Sequence, residues 1–146
     1  MTLSFSEKSQ KEIGEILKKY PDKDASLLPV LYVAQSESKY IYNDVIDLIA
    51  NYIQLPATRV KEVATFYTMY NKKPVGKYHL QFCNNIACSL RNSRKLIEIV
   101  KNKLKIEIGE TTSDGKFTLS TVECLGACGT APVMQVNNDY YENLTE

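Results

Sequence analysis

The chain has 146 residues, 44% of them hydrophobic and 24% charged, which is the composition of an ordinary soluble globular protein. Its length allows one domain, or one small domain with a helical extension. Lys and Arg number 18 against 17 Asp and Glu, so the chain lacks the basic surplus typical of nucleic-acid-binding domains. The longest uncharged stretch, residues 124–138, is shorter than the roughly 20 apolar residues of a membrane-spanning helix.

The first residues, 1–6, lack the basic start and the apolar block of a secretory signal. We therefore expect a cytoplasmic protein in a reducing compartment. There, the four cysteines of the chain are more often metal ligands or catalytic thiols than disulfide partners.

Apolar residues at a 3.6-residue period predict four short helices over residues 1–72. Serine caps and prolines indicate where these helices begin and end. The expected signals are Ser4 and Glu7 as a capping box with Pro21 after the first helix, Ser26 before the second, Asn43 or Asp44 at the start of the third, and Pro56 before the fourth. The first half is thus predicted to be a helical bundle.

From residue 73 onward the apolar pattern changes to the two-residue repeat of a half-buried strand. The predicted elements are a strand through Tyr78, Leu80 and Phe82 that leads into Cys83, a helix from about Ser89, an alternating segment with Ile106 and Ile108, a strand from Phe117 towards Cys124, and a hairpin over 133–141 that turns at Asn137. This order is typical of a small α/β layer of the thioredoxin kind. The predicted fold class is therefore α+β, with a helical region at 1–72 and an α/β domain at 73–146.

The cysteines form two close pairs, Cys83 with Cys88 and Cys124 with Cys128, both predicted to lie on connections between elements. Neither pair has the Cys-x-x-Cys spacing of a thiol-disulfide oxidoreductase. A four-cysteine zinc site accepts the second spacing, but the first is only borderline. An iron-sulfur cluster tolerates both spacings and benefits from backbone N–H groups near its sulfurs, which Gly126 can supply. Zinc and iron-sulfur both stay open on spacing alone.

His79 is the single histidine of the chain, and this restricts the kinds of metal and catalytic site that the chain can form. A Rieske centre needs two histidine ligands, and a Cys-His or Ser-His-Asp catalytic site cannot be built with confidence around this residue. We expect His79 to be an ordinary strand residue. The sequence also has no glycine-rich phosphate-binding loop.

A family resemblance covers nearly the whole chain and is carried by four motifs. They are Val63-Ala-Thr-Phe-Tyr-Thr-Met69, Cys83-x4-Cys88, Val122-Glu-Cys-Leu-Gly-Ala-Cys-Gly-x-Ala-Pro132 and Asp139-Tyr-Tyr141. Together they resemble the thioredoxin-like 2Fe-2S subunit of NADH:quinone oxidoreductase, respiratory complex I. In that enzyme it is the small partner of the flavin- and NADH-binding subunit. Family members are expected to continue into a last helix beyond the point where this chain ends, Glu146.

The resemblance implies one 2Fe-2S cluster held by Cys83, Cys88, Cys124 and Cys128. It also implies that FMN and NADH bind only to the partner subunit, with which this chain exchanges single electrons. The chain is then an electron-transfer subunit of an oxidoreductase with no catalytic residues and no small-molecule substrate of its own. It would lie in the cytoplasm, peripheral to the inner membrane through other subunits.

Three alternatives accompany this interpretation. Related subunits serve NAD-reducing hydrogenases and NAD-dependent formate dehydrogenases. A DNA-binding regulator with an iron-sulfur or zinc site would need a helix-turn-helix around residues 55–60, but the near-neutral first half argues against phosphate contacts. A free-standing ferredoxin shuttle would not need the helical extension.

The helix expected from about Ser89 would direct the positive end of its dipole towards the cluster. Arg91, Arg94 and Lys95 would add positive charge near that turn, or would simply form the solvated face of an amphipathic helix. The first case tends to raise the reduction potential.

Overall fold

The computed structural model describes residues 3–146. The chain divides into two compact units, one ending at Pro74 and the other spanning Val75–Glu146. Within residues 3–146, no helix is both long enough and apolar enough to cross a membrane.

The first unit contains four helices, as the sequence predicts. They are α1 (Glu7–Lys19), α2 (Leu27–Ser38), α3 (Asn43–Ile53) and α4 (Ala57–Phe66). Each contributes apolar residues to one core, including Ile13, Leu31, Ile49 and Val60, whose side chains are fully buried. Proline sits just before α4 at Pro56, where its fixed backbone angle suits the start of a helix.

The cap of α1 differs from the sequence prediction. The helix begins at Glu7, and its N-cap is Ser6 rather than Ser4. The Ser6 Oγ accepts a hydrogen bond from the Ser9 N–H, and Glu37 of α2 accepts bonds from both the Ser6 N–H and its hydroxyl. The neighbouring Phe5 is buried edge-on against the ring of Tyr52. This burial fixes the point at which the chain enters the helix, which local sequence signals do not reveal.

The N-terminus of α2 is only partly as predicted. Ser26 stands at the N-cap position, but its side chain makes no capping bond. Its hydroxyl donates instead to the Lys23 carbonyl at 2.6 Å. Ser26 is fully buried, and this bond satisfies its hydroxyl.

The second unit is built on a four-stranded sheet with strand order β2-β1-β3-β4. The strands are β1 (Tyr78–Cys83), β2 (Phe117–Val122), β3 (Met134–Val136) and β4 (Asp139–Tyr141). β1 and β2 are parallel, whereas β1–β3 and β3–β4 are antiparallel. The hairpin turns after Val136 at Asn137, whose φ is +54°, as the sequence predicts.

The segment between β1 and β2 differs from the expectation of one helix from about Ser89. It contains a short helix, α5 (Ile86–Leu90), and a separate longer helix, α6 (Ser93–Leu104). Asn92 separates them with a left-handed φ of +68°. Cys88 therefore lies inside α5, and the predicted helix dipole starting just after it is wrong.

The alternating segment with Ile106 and Ile108 is not a strand. Ile106 packs into the core formed by Phe82, Leu96, Ile97 and Leu119, whereas Ile108 is exposed. This connection meets β2 through an isolated bridge between Thr111 and Thr118 and through backbone hydrogen bonds, such as that from the Gly109 N–H to the Leu119 carbonyl at 2.7 Å. One buried and one exposed isoleucine produce a strand-like pattern in what is a loop.

A buried tyrosine closes the core of the helical unit. Tyr70 follows α4, is 1% exposed, and donates its hydroxyl to the Leu28 carbonyl of α2 at 2.8 Å. Burial raises the pKa of Tyr70 to about 12, so the hydroxyl keeps its proton throughout the neutral range.

The change Tyr70→Phe removes this donor and leaves the Leu28 carbonyl without it. We expect the free energy of unfolding to fall by about 1–2 kcal/mol, the usual cost of leaving a buried partner unsatisfied. Urea denaturation followed by far-UV circular dichroism measures the effect. Tyr52→Phe is the matched control, because Tyr52 is 39% exposed and makes no hydrogen bond through its hydroxyl to the part of the chain described. Equal losses in both variants would contradict the assigned bond.

Candidate metal centre

The parallel pairing of β1 and β2 brings the two cysteine-bearing connections to one edge of the sheet. Cys83 is the last residue of β1 and is in register with Val122, the last residue of β2. Cys124 lies two residues after Val122. The carboxyl ends of parallel strands share an edge, so both cysteine pairs begin at the same place.

The first pair is buried in an apolar pocket. Cys83 is 3% exposed and Cys88 is 2% exposed, and both pack with Ala131 and Val133. Cys83 is anchored by its N–H, which donates to the Val133 carbonyl at 3.2 Å. The Cys83 thiol lies 3.8 Å from the Glu123 carbonyl, a contact that connects the first cysteine to the start of the second loop.

The surroundings of Cys88 raise the pKa of its thiol. Burial raises the pKa of the Cys88 thiol, a hydrogen bond with Cys83 raises it further, and so do the nearby Cys83 and Cys128 thiolate charges. A backbone hydrogen bond from Val133 partly offsets these effects. Cys83 and Cys128 thus both act on the Cys88 thiol, and a bound cation would relieve the cost of ionising this buried group.

The second pair is exposed to solvent. Cys128 begins a single 3-10 turn, Cys128–Thr130, whereas Cys124 lies in the irregular part of the loop. The Cys124 Sγ accepts a hydrogen bond from the Gly126 N–H at 3.2 Å. Gly126 has a φ of +72°, a conformation that glycine adopts without strain.

No three His, Cys, Asp or Glu side chains among residues 3–146 converge tightly enough to hold one metal ion. The thiols are arranged as a buried pair and an exposed pair at one sheet edge. Four cysteine thiolates are the ligand set of a two-iron cluster. The four cysteines of the chain fit such a cluster in both ligand type and number.

Residues of β4 and of the segment after it bond to the second cysteine loop and to the residues that follow it. The sequence analysis did not predict these contacts. The Asn143 N–H donates to the Thr130 carbonyl at 2.7 Å, and the Leu144 N–H donates to the Pro132 carbonyl at 3.1 Å. The Tyr140 hydroxyl donates to the Leu125 carbonyl at 3.0 Å. The Asp139-Tyr-Tyr motif was the available signal, but a sequence gives no indication of which carbonyl a tyrosine reaches.

Two of the three basic side chains near Cys88 in sequence contact other residues. Arg91 Nε donates to the Ala131 carbonyl at 3.4 Å and so connects the two cysteine-bearing segments. Lys95 forms an ion pair with Glu146, while Arg94 is exposed. The contact that Arg91 makes beside the cysteines is thus a hydrogen bond to the backbone.

Comparison with known proteins identifies the family. The sequence pattern of the thioredoxin-like [2Fe-2S] ferredoxin family matches residues 13–146. The chain belongs to this family. The thioredoxin-like fold and the resemblance inferred from the motifs are both confirmed.

Two curated relatives of this thioredoxin-like ferredoxin are E subunits of NADH-quinone oxidoreductase. The one from Rickettsia prowazekii (strain Madrid E) is 47% identical over 148 aligned residues, covering 99% of this chain and 84% of that protein. The one from Rhizobium meliloti (strain 1021) is 44% identical over 135 residues, covering 92% of this chain and 80% of that protein.

A solved structure supports the thioredoxin-like fold independently. An NAD+-reducing [NiFe]-hydrogenase in the air-oxidized state matches with a TM-score of 0.70 at 20% identity. The match covers 82% of this chain and 20% of the hydrogenase chain. At this identity the likeness concerns the fold.

His79 of this ferredoxin lies four residues before Cys83 in β1, and its Nε2 is 2.8 Å from the Ser120 Oγ of β2. Burial lowers the pKa of His79. This arrangement fits the ordinary strand residue that the sequence analysis expects.

The lowered pKa of His79 predicts a loss of stability in mild acid. As the pH falls through the ordinary histidine pKa of about 6.5, the unfolded chain takes up a proton that the folded chain resists, so the free energy of unfolding decreases. His79→Gln removes this titration, and its stability should depend less on pH between neutrality and mild acid. Urea denaturation of both proteins over that range is the test. Identical pH profiles would contradict it, because the chain has no other histidine.

Proposed function

We propose that this chain is the electron-transfer subunit of an NADH:quinone oxidoreductase of the complex I type. In this proposal Cys83, Cys88, Cys124 and Cys128 bind one [2Fe-2S] cluster. The observation that carries the proposal is that the four cysteines lie at the end of β1 and on the segments that follow β1 and β2, which start at one edge of the sheet. When bound, the cluster supplies reversible one-electron transfer.

The chain's own residues would hold and tune this group. The backbone at the end of β1 fixes Cys83, α5 carries Cys88, and the loop after β2 carries the exposed pair. Binding requires the four thiols to lose their protons. The apolar surroundings of Cys83 and Cys88 exclude water from one side, while the Gly126 N–H bonds to the sulfur of Cys124 on the other.

The partner is proposed to be the subunit that binds FMN and NADH. Cys124 and Cys128 are exposed, so a second protein can approach the cluster edge directly. Beside Cys88, Ile86 and Leu90 are 75% and 79% exposed on one face of α5. Exposed apolar side chains of this size beside a functional site are typical of a protein interface. The chain itself is proposed to have no catalytic residue, and its association with a membrane would come through other subunits.

The curated relatives support the proposed parent enzyme. Identity of 44–47% over nearly the whole chain to E subunits favours NADH:quinone oxidoreductase. The hydrogenase likeness, at 20% identity, concerns the fold, so a role in an NAD-reducing hydrogenase or formate dehydrogenase is the alternative. The nearly balanced charge argues against a DNA-binding regulator.

Metal analysis of the anaerobically reconstituted chain tests the cluster directly. We expect two irons and two acid-labile sulfides per chain, and an EPR signal from one unpaired electron after reduction with dithionite. Zinc without iron or sulfide would instead identify a structural metal site and overturn the proposal.

Replacing any one of Cys83, Cys88, Cys124 or Cys128 with Ser should reduce iron and sulfide content to less than half, because each supplies one of four thiolates. His79→Gln is the control and should keep the full content. Measurement of iron, sulfide and the EPR signal after identical reconstitution distinguishes the two groups. A cysteine variant that kept a normal cluster would remove that residue from the ligand set.

The double change Ile86→Ser with Leu90→Ser should weaken binding to the purified FMN-bearing subunit by about tenfold or more, a usual loss for exposed apolar contacts at an interface centre. Ile108→Ser is the matched control, since Ile108 is 48% exposed in the connection between α6 and β2. Isothermal titration calorimetry with reconstituted protein gives both affinities. Unchanged binding of the double variant would place the interface elsewhere.

A further inference from the structure

One peptide group in the second cysteine loop is hydrogen-bonded at both ends. It joins Leu125 to Gly126. Its N–H, on Gly126, donates to the Cys124 Sγ at 3.2 Å. Its carbonyl, on Leu125, accepts from the Tyr140 hydroxyl at 3.0 Å. The tyrosine and the sulfur are thus connected through a single peptide.

We propose that Tyr140 is a positioning residue that strengthens the hydrogen bond to the Cys124 sulfur and thereby raises the reduction potential of the site. A hydrogen bond accepted by a peptide carbonyl polarises the peptide and makes its N–H a stronger donor. The inference rests on the proposed function, in which Cys124 binds iron. It adds a residue outside the ligand set that acts on the electronic properties of the cluster.

The direction of the effect follows from charge. Reduction adds an electron and makes the ligand sulfurs more negative, so a hydrogen bond to sulfur stabilises the reduced form more than the oxidised form. A stronger Gly126 donor raises the reduction potential. Loss of the Tyr140 hydroxyl therefore lowers it, without removing any ligand.

The side chain that carries this hydroxyl belongs to a strand and not to a loop. Tyr140 lies in β4 and is paired with Gln135 of β3. The next segment is also fixed, because the Asn143 N–H donates to the Thr130 carbonyl. Tyr141 is the neighbouring residue in the same strand, and successive strand side chains point to opposite faces. The two tyrosines have similar exposure, 48% and 50%, so Tyr141 is a close control.

The experiment is a redox titration of the full chain, reconstituted anaerobically and followed by EPR, with iron and sulfide measured on every sample. Tyr140→Phe should reduce the equilibrium constant for reduction two- to fivefold, which corresponds to about 20–40 mV at 59 mV per tenfold for one electron. Tyr141→Phe should leave the potential unchanged. Both variants should keep the iron and sulfide content of the parent protein.

A second variant separates the hydrogen-bond effect from a change in packing. Incorporation of 3-fluorotyrosine at position 140 keeps the ring and makes the hydroxyl a stronger donor. Measured at a pH where the phenol is protonated, this protein should shift in the opposite direction, to a higher potential. A merely structural tyrosine would not give shifts of opposite sign in the two variants.

The outcomes separate this inference from the proposed function. If Tyr140→Phe matches Tyr141→Phe in potential, or if the fluorinated protein fails to shift upward, the relay through the Leu125–Gly126 peptide is wrong while the cluster assignment stands. If the parent chain binds no iron and sulfide, the proposed function fails first. Opposite shifts with intact clusters establish the role of Tyr140.

Discussion

The parallel pairing of β1 with β2 is the constraint on which the site depends. In this arrangement Cys83 ends one strand and Val122, in register with it, ends the other. A one-residue slip would turn every side chain of β2 to the opposite face and move Leu119 out of the core, where it is fully buried. The apolar core under the sheet therefore fixes the register, and the register fixes where the two cysteine loops begin. The positions of the cysteines at this edge therefore depend on the packing of side chains a few residues away.

The four thiols do not share one environment. Cys83 and Cys88 are enclosed by apolar side chains, and burial raises the pKa of the Cys88 thiol. Cys124 and Cys128 face solvent. In the proposed function, the metal centre offsets the cost of ionising Cys88, and the exposed Cys124 and Cys128 leave the same edge of the sheet accessible to a partner subunit. The buried and the exposed cysteines are separated along the chain.

Some features of this fold were predictable because they depend on neighbouring residues. The four helices follow from apolar period and from Pro21, Ser26 and Pro56, and the thiol pairs follow from spacing. The errors occur where distant contacts decide. Ser6 displaces Ser4 as a cap because Glu37 binds it and Phe5 is buried. The break between α5 and α6 is an exception, since it falls at Asn92, and Asn adopts the left-handed φ observed there more readily than most residues. Ile106 is buried by the core without belonging to a strand.

The same reasoning explains why the candidate ligands could be identified from sequence and their supports could not. Four cysteines in two close pairs are visible at once in the sequence and indicate metal binding, and the family resemblance favours an iron-sulfur cluster over zinc. Tyr140, Asn143 and Leu144 act through hydrogen bonds to the carbonyls of Leu125, Thr130 and Pro132. Any residue has a carbonyl, so these partners leave no mark in the sequence. Leu125 and Ala127 of the exposed cysteine loop pack against the cluster that contains Cys83 and Cys88. The Tyr140 hydroxyl and the backbone N–H groups of Asn143 and Leu144 add hydrogen bonds to this part of the chain. Its shape is therefore sensitive to changes near the end of the chain that touch no cysteine.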